Sequence, residues 1–334
     1  MAVSKGSLRI SVALCTRNGA AFVREQVQSI LAQSRPVDEI VLSDDASTDD
    51  TVELVRRAVK VQIGLGGDVE LKVLRNKKAL GVVRNFEQAV MATTGDLVAL
   101  SDQDDVWHPD RMRTIVEVFA AEPSLELVFS NARLVDGSGA PLRHSLFSAL
   151  SMTAREKREL RGRGAFAALL GRNLVTGATV VFRRGLLDLA IPFAPDWVHD
   201  EWLAALAAAT GGIRMLEPLL IDYRQHGGNQ IGAGRLSLSE KVGRVAENRA
   251  ERNARLLARS NELVARLEKL GDRVSPAVLN EARAKVDHEA LRSGLPVGRG
   301  QRIPTVTREL VTGRYARYGR GVLDAGRDLL QPAR

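Results

Sequence analysis

Three carboxylates lie within four residues, directly after an apolar run. Asp102, Asp104 and Asp105 follow residues 97–100, which have the composition of a buried strand. Ionised carboxylates crowded at a strand end repel one another and are costly to desolvate, so a bound cation is the usual compensation. Mg²⁺ and Mn²⁺ take oxygen ligands and are commonly held by one or two carboxylates together with substrate phosphates. The cluster indicates metal-dependent nucleotide chemistry, although a strand followed by a solvated acidic turn explains this segment alone equally well.

Strand-like and helix-like segments alternate over the first hundred residues. The pattern predicts strands at 10–15, 39–43, 69–74 and 96–100, with helices at 21–33, 51–60 and 85–91. This order predicts an α/β fold with a mostly parallel sheet flanked by helices. In such sheets, ligands bind at the carboxyl ends of strands, and both Asp44 with Asp45 and the second acidic cluster fall there.

The second half of the chain changes in character. We predict strands at 126–130 and 175–182 and a helix at 199–209, whereas 146–163 is expected to be a loop or short helix. Arginine and glutamate interleave with apolar residues over 236–270, which indicates long amphipathic helices. The sequence therefore predicts a catalytic domain over residues 1–232 and a basic helical region over 233–334.

Composition limits the function classes. The 334 residues are 45% hydrophobic and 26% charged, as in an ordinary soluble domain, and the net charge of +8 favours anionic partners. We expect a cytoplasmic protein, because no apolar run approaches the ~20 residues of a membrane span and the N-terminus lacks the apolar core of a secretory signal. Cys15, the only cysteine, lies in an apolar run and is expected to be a buried structural thiol.

Seven short motifs occur in a particular order. They are SVALCTRN at 11–18, VLSDDASTD at 41–49, GVVRN at 81–85, SDQDDVW at 101–107, VTGAT at 175–179, HDEW at 199–202 and YRQHGGN at 223–229. Together they resemble family 2 glycosyltransferases with the GT-A fold. Within this family, the SDQDDVW and YRQHG motifs are most similar to those of bacterial rhamnosyltransferases that assemble cell-surface polysaccharides.

The resemblance implies an inverting, metal-dependent transfer of a sugar from a nucleotide diphosphate to an acceptor hydroxyl. The expected donor is dTDP-L-rhamnose, and the alternative is a UDP-hexose or UDP-N-acetylhexosamine. The expected acceptor is a growing cell-surface polysaccharide or a lipid-linked glycan.

The resemblance also assigns a donor site. It implies contacts with the nucleotide from Thr16, Asn18, Asp44, Asp45, Arg84 and Asp102. Asp104 would bind Mg²⁺ or Mn²⁺, and His226 resembles the distant histidine that completes this metal site in many GT-A enzymes. Each assignment has a simpler alternative: a turn or helix cap for the aspartates, a solvated helix position for Arg84 and an inert surface position for His226.

On the acceptor side, Asp200 matches the catalytic base of the family, with Glu201 as the alternative carboxylate. A helix N-terminus would help to keep Asp200 ionised, as a general base requires, although Asp200 could equally serve only as an N-cap. Further contacts with the sugar or acceptor are implied for Trp107, Thr176, Gly177, Glu201 and Trp202. For the two tryptophans, packing is the simpler interpretation.

Arginines alternate with apolar and aromatic residues over 301–330. This composition suits peripheral contact with an anionic membrane at its inner face, and it suits a helical face packed on the catalytic domain equally well.

Two other classes of protein fit the sequence less well than a glycosyltransferase. A sugar-phosphate nucleotidyltransferase would carry a glycine-rich phosphate loop after the first strand, and a nucleic-acid-binding protein would not place carboxylates where phosphates approach. No nucleic-acid partner is expected.

Overall fold

A computed structural model describes residues 8–162, 164–226 and 248–332. Within these ranges nine strands form one sheet, in the order β3-β2-β1-β4-β8-β6-β9-β5 with β7 paired to β6. The strands are β1 Ile10–Thr16, β2 Glu39–Asp44, β3 Glu70–Arg75, β4 Leu97–Ser101, β5 Val106–Trp107, β6 Leu127–Asp136, β7 Pro141–Ser145, β8 Val180–Arg183 and β9 Ile213–Gln225.

Helices cover the sheet and form the C-terminal region. They are α1 Val23–Leu31, α2 Thr51–Gly64, α3 Val82–Met91, α4 Arg111–Ala121, α5 Leu146–Ala149, α6 Ala154–Leu160, α7 Ala165–Gly171, α8 Leu187–Ala190, α9 His199–Thr210, α10 Arg249–Lys269, α11 Pro276–Ser293, α12 Arg299–Val311, α13 Arg314–Tyr318 and α14 Val322–Leu330. Short 3₁₀ turns lie at Gly177–Thr179, Arg184–Leu186 and Gly271–Arg273.

The first four strands form the parallel part of the sheet. β1, β2 and β4 are buried along their whole length, as their continuous apolar runs predict for strands covered on both faces. Their register places Thr16 opposite Asp44 and Leu14 opposite Ser101. The carboxyl ends of these strands therefore meet at one edge, which confirms the α/β fold and brings both acidic clusters together.

The rest of the sheet is mixed rather than mostly parallel. β8 pairs antiparallel with both β4 and β6, while β9 runs parallel to β6. An apolar run indicates burial but not strand direction, so the sequence could not distinguish these pairings. Likewise, the strand predicted at 175–182 starts only at Val180, because residues 177–179 form a 3₁₀ turn.

The thirteen-residue strand β9 was not predicted from the sequence. Its middle is exposed and its pairing with β6 shifts register twice, so it lacks a regular alternation of apolar and polar residues. Short helices α5 and α6 occupy the segment expected to be a loop or short helix, and Thr153 and Glu156 form a capping box at the start of α6. Cys15 is buried, as expected.

The C-terminal helices pack against the part of the chain that contains the sheet. The Arg266 guanidinium donates to the carbonyl oxygen of Leu189 at 2.6 Å, and a Cβ on Gly171 would lie 3.2 Å from the carbonyl oxygen of Arg317. Tyr315 and Tyr318 are buried, so these aromatics pack inside the protein. Among the described residues, no helix is long and apolar enough to cross a membrane. The predicted boundary at 232/233 lies outside the described residues.

A buried carboxylate holds these helices together. Asp328 accepts hydrogen bonds from Arg292 Nε at 2.7 Å, Arg252 Nη2 at 2.7 Å and the Tyr315 hydroxyl at 2.9 Å. Burial opposes ionisation, but the charge and hydrogen bond of Arg292, the hydrogen bond of Asn253 and the charge of Arg252 together outweigh it, so the pKa of Asp328 lies below its usual range. Arginines of the C-terminal region thus belong to an internal network of ion pairs.

We expect Asp328→Ala to destabilise the protein. Removal of this carboxylate leaves Arg292 and Arg252 buried without their shared counter-ion, a change that typically costs about 3–5 kcal/mol. Urea denaturation followed by circular dichroism measures the loss. The control is Asp287→Ala, which removes an exposed carboxylate from α11 and should change stability by less than about 0.5 kcal/mol. Equal stability of the two variants would contradict this account of the network.

Candidate active site

Asp44 joins the ends of the first two strands. Its Oδ1 accepts a hydrogen bond from Thr16 Oγ1 at 2.9 Å and another from the Ser47 hydroxyl, and its Oδ2 accepts from the Ser47 backbone N–H at 3.0 Å. The side chain is fully buried. A carboxylate has about four acceptor positions, so the protein itself uses most of those on Asp44.

Asp45 holds the loop that leads into α3. It accepts backbone hydrogen bonds from Leu80 at 2.6 Å and Gly81 at 3.0 Å, together with one from Asn76 Nδ2 at 3.1 Å. Gly81 has a φ of 83°, a left-handed conformation that glycine adopts without strain. Nearby, Asn18 is exposed and accepts from the Thr48 N–H at 2.9 Å. The residues predicted to bind the nucleotide at the ends of β1 and β2 are therefore adjacent. Both aspartates also hold the loops that follow these strands through hydrogen bonds.

The acidic loop after β4 meets the end of β9. His226 Nε2 lies 2.8 Å from Asp104 Oδ2, so residues 122 positions apart in the sequence form a pair of potential metal ligands. The His226 ring also stacks on Phe22, with a centroid distance of 4.6 Å. The structure thus brings together the two residues assigned to the metal.

Arg224 supports this loop and was not identified from the sequence as a functional residue. The buried guanidinium donates from Nε to the Asp104 carbonyl oxygen at 2.8 Å and forms an ion pair with Glu25 at 2.6 Å. Its backbone N–H donates to Asp105 Oδ1 at 3.0 Å. The sequence feature that could have identified Arg224 is its position in the YRQHG motif, two residues before His226.

The loop carries uncompensated negative charge. Burial, followed by the charges of Asp104 and Asp200, raises the pKa of Asp102 to about 7. Burial, followed by the charges of Asp104 and Asp102, raises the pKa of Asp105 well above its usual range, and no described residue hydrogen-bonds to its Oδ2. A bound cation would relieve this repulsion.

Asp200 lies at the start of α9 and faces the acidic loop. Its Oδ2 accepts from the Gly177 N–H at 2.7 Å, and its Oδ1 accepts from the Glu201 N–H at 2.6 Å. Burial, together with the charge of Glu201, raises the pKa of Asp200 to about 7. Gly177 allows this approach, because a Cβ there would lie 3.0 Å from His199 Nε2 and 3.4 Å from Asp200 Oδ2.

Glu201 points elsewhere. Its carboxylate forms an ion pair with Arg259 of α10 at 2.5 Å, and the Arg259 guanidinium lies 4.4 Å from the centroid of the Trp197 ring. Trp197 and Arg259 were not identified from the sequence, because neither belongs to a motif. Glu201, the alternative base, is thus neutralised by a C-terminal arginine.

Four other predicted site residues do not take part in the carboxylate cluster: two tryptophans are buried in the core, and Arg84 and Thr176 are partly exposed. Trp107 and Trp202 are buried: Arg111 covers the Trp107 ring at 3.8 Å, and the Trp202 indole donates to the Ala190 carbonyl oxygen at 2.9 Å. Both tryptophans therefore pack in the core here. Arg84 is half-exposed and paired with Glu87, and Thr176 is partly exposed beside Gly177.

The residues fit a metal ion that shares its coordination with a ligand. No group of three or more His, Cys, Asp or Glu residues in the described ranges could hold a metal by itself. Asp104 and His226 provide one oxygen and one nitrogen donor at 2.8 Å from each other. Mg²⁺ and Mn²⁺ are commonly held by few protein groups together with substrate phosphates, which matches this donor set.

The raised pKa values predict an unusual dependence of stability on pH. Between about pH 4 and 7, folded Asp102 and Asp200 hold protons that the unfolded chain releases. The contribution of these two groups to stability without metal should therefore fall as pH rises through this window, with the full cost reached above pH 7, whereas buried His199, whose pKa lies at about 3, contributes in the opposite direction over the lower part of the window. The pKa of Asp328 is lowered, so its contribution changes only below the window.

Melting temperatures in EDTA from pH 5 to 8 measure this effect. We expect Asp102→Asn to flatten the profile and to raise the melting temperature at pH 8 by several degrees, because the amide removes one of the repelling charges. Identical profiles for the variant and the unmodified chain would show that the carboxylates do not repel one another in the folded state.

Comparison with solved structures supports the fold. The TarS 1–349 structure from S. aureus in complex with UDP-GlcNAc has a TM-score of 0.57 and 15% identity, over 91% of this chain and 81% of that 1–349 chain. A mannosyltransferase from Pyrobaculum calidifontis in complex with GDP-Man and Mn²⁺ has a TM-score of 0.50 and 20% identity, over 98% of this chain and 86% of that chain. At these identities the likeness concerns the fold.

Sequence relatives and a family model identify the class of enzyme. An uncharacterized glycosyltransferase of Nostoc is 27% identical, over 70% of each chain. The dTDP-rhamnosyl transferase RfbG of Shigella flexneri is 24% identical, over 70% of this chain and 78% of RfbG. The model "Glycosyl transferase family 2" matches residues 11–188, more than half of the chain. The chain therefore belongs to glycosyltransferase family 2 and is a glycosyltransferase.

Proposed function

We propose that this glycosyltransferase moves a sugar from a nucleotide diphosphate to an acceptor hydroxyl with inversion, in a reaction that depends on Mg²⁺ or Mn²⁺. One observation carries the proposal: Asp102, Asp104 and Asp200 converge at the strand ends, closely enough for the charges of Asp104 and Asp200 to raise the pKa of Asp102. Such an arrangement favours a bound cation and an anionic, cation-chelating donor.

Asp104 and His226 would hold the metal. When bound, the ion would neutralise the charge that develops on the departing diphosphate. The contribution of the protein is to fix both side chains: Arg224 holds the Asp104 backbone, and Phe22 stacks on the His226 ring. That the mannosyltransferase neighbour was solved with GDP-Man and Mn²⁺ supports this assignment.

The nucleotide would lie at the ends of β1, β2 and β4. Thr16, Asp44 and Asp45 would form its inner wall through the acceptor positions that the protein leaves unused, with Asn18 and Asp102 at the exposed side. Arg84 would have to exchange its pairing with Glu87 for a phosphate, which its half-exposed side chain permits.

Asp200 would act as the general base. Its pKa of about 7 suits proton abstraction near neutral pH, because the group is partly ionised there yet more basic than an ordinary carboxylate. Inversion requires the base and the leaving diphosphate on opposite sides of the sugar. Glu201 is less suited, because its carboxylate is held in an ion pair with Arg259 of α10.

For the donor we propose dTDP-L-rhamnose, and for the acceptor a cell-surface polysaccharide or lipid-linked glycan. The similarity to the dTDP-rhamnosyl transferase RfbG supports this choice, as does a relative from Bacillus subtilis described as a putative teichuronic acid biosynthesis glycosyltransferase. A UDP-sugar is the alternative, supported by TarS in complex with UDP-GlcNAc.

Peripheral contact with the inner face of an anionic membrane is part of the proposal. Helix α12 supports it, because Ile303 and Val311 are exposed on the same short helix as Arg299 and Arg308. Each basic residue near an anionic surface contributes about 1 kcal/mol, so contact through this helix would be reversible and sensitive to salt.

We expect Asp104→Ala to abolish transfer and to remove metal-dependent binding of the donor. Calorimetric titration of the nucleotide sugar with and without Mn²⁺ measures the effect. Asp68→Ala, which removes an exposed carboxylate distant in sequence, serves as the control and should bind the donor normally. Metal-dependent binding that survives in Asp104→Ala would exclude this residue as the ligand.

Asp200→Asn should lower kcat by about 10²–10⁴-fold while donor binding remains nearly normal, because the amide keeps the shape of the carboxylate but accepts no proton. In the unmodified chain, kcat should fall as pH decreases below about 7, where Asp200 becomes protonated. Glu201→Gln should lose less activity. A larger loss in Glu201→Gln with an active Asp200→Asn would reverse the assignment.

The donor can be identified by thermal stabilisation. Ligands that bind only the native state raise the melting temperature, so dTDP-rhamnose with Mn²⁺ should stabilise the chain more than UDP-hexoses or GDP-mannose. Turnover with a UDP-hexose and none with dTDP-rhamnose would overturn the choice of donor and leave the class of enzyme unchanged.

A further inference from the structure

His199, the first residue of α9, is buried without a hydrogen-bond partner. Its side chain is 5% exposed, and no described residue hydrogen-bonds to either ring nitrogen. Another buried histidine, His288, shows the usual arrangement, because its Nδ1 lies 2.7 Å from a carboxylate oxygen of Glu309. A buried polar group normally has a partner, either in the protein or in a bound molecule. The hydrogen-bonding capacity of His199 is therefore available to a ligand.

The imidazole ring of His199 is held in place by packing. It stacks on Phe86 of α3, with a centroid distance of 3.9 Å and an angle of 16° between the ring planes. Phe86 is itself buried, and the start of α3 is anchored by the hydrogen bonds from Leu80 and Gly81 to Asp45. A ring fixed in this way presents its nitrogens in a defined direction, which is what the orientation of a reacting group requires.

His199 Nε2 and Asp200 Oδ2 face the same point. A Cβ on Gly177 would lie 3.0 Å from Nε2 and 3.4 Å from Oδ2, so both atoms border the side of Gly177 that carries no side chain. Asp200 Oδ2 accepts a hydrogen bond from the Gly177 N–H at 2.7 Å, and a carboxylate oxygen has about two acceptor positions. An imidazole nitrogen and a further acceptor position on the proposed base therefore lie next to each other.

We propose that His199 contacts the substrate: its Nε2–H donates a hydrogen bond to the oxygen that attacks the sugar, while Asp200 Oδ2 accepts the proton of that same oxygen. The inference rests on the proposed function, in which Asp200 is the base. The oxygen belongs to the acceptor hydroxyl, or to water when the donor is hydrolysed. Its proton moves to Asp200, one lone pair forms the bond to the anomeric carbon, and the electrons of the broken carbon–oxygen bond leave with the diphosphate. Its second lone pair accepts the hydrogen bond from His199.

The two side chains suit different parts of this task. Burial lowers the pKa of His199 to about 3, so near neutral pH the imidazole is uncharged, carries one N–H and is a poor base. Burial and the charge of Glu201 raise the pKa of Asp200 to about 7, which makes it the better proton acceptor. His199 thus orients the attacking oxygen and leaves its proton to Asp200.

Two substitutions of similar size separate a substrate contact from a packing role. His199→Gln and His199→Leu both remove the ring that stacks on Phe86, but only the glutamine amide can donate a hydrogen bond from near the position of Nε2. The assay is hydrolysis of a nucleotide sugar by the full chain with Mn²⁺, because water is then the attacking oxygen and no acceptor is required. The unmodified chain is tested with dTDP-rhamnose, UDP-glucose and GDP-mannose, and the sugar that it hydrolyses is used for the variants.

We expect kcat for hydrolysis to be about tenfold or more lower in His199→Leu than in His199→Gln, the effect of one lost hydrogen bond. Calorimetric titration of the same nucleotide sugar with Mn²⁺ should give equal affinities for the two variants, because His199 contacts the attacking oxygen and not the donor. In EDTA, His199→Leu should melt at the same temperature as His199→Gln or higher, because leucine buries no unpartnered polar group. Loss of packing cannot explain a variant that is less active yet at least as stable.

Three results would overturn the proposal: equal hydrolysis by the two variants, a loss of donor affinity in His199→Leu as large as its loss of hydrolysis, or a melting temperature of His199→Leu well below that of His199→Gln. Failure of the proposed function is a separate result. In that case the unmodified chain hydrolyses none of the nucleotide sugars with metal, whereas failure of this inference leaves the unmodified chain active.

Discussion

Repulsion among carboxylates at one sheet edge is the central electrostatic feature of this protein. Asp102, Asp104 and Asp200 come from two distant segments, and burial, followed by the charges of Asp104 and Asp200, raises the pKa of Asp102. Folding brings these charges together, so the surrounding structure must hold them against their repulsion. The hydrogen bonds from Gly177 to Asp200 and from Arg224 to the Asp104 backbone perform this task. The repulsion lowers the stability of the folded protein, and a bound cation with its anionic ligand would restore that stability.

The last strand is as important for this arrangement as the first four. Arg224 supports the acidic loop from β9, and His226 follows at its end, whereas the family match covers only residues 11–188. The pairing of β9 with β6 passes through two register shifts, which adjust where the strand ends relative to Asp104. The position of the histidine therefore depends on an irregular strand that the sequence pattern does not reveal.

Local patterns predicted the parallel half of the sheet and the carboxylates at its strand ends, because burial and strand length are encoded in short segments. They did not predict strand direction at β8, the existence of β9 or the supporting role of Arg224, which depend on contacts between distant residues. The C-terminal arginines show the same limit. Composition cannot distinguish a cation that faces solvent from Arg292, which is buried against Asp328.

The pair of Glu201 with Arg259 separates two opposite electrostatic environments. On one side, the acidic loop favours a cation; on the other, arginine and lysine side chains of the C-terminal helices are paired with carboxylates, among them Glu289, Asp324 and Asp328. Asp200 is buried beside Glu201, so its protonation depends on burial and on the charge of Glu201. Burial and the negative charge of Glu201 raise the pKa of Asp200, and the Glu201 carboxylate forms an ion pair with Arg259 of α10. A C-terminal helix outside the family match thus holds the carboxylate whose charge acts on Asp200 in the candidate active site.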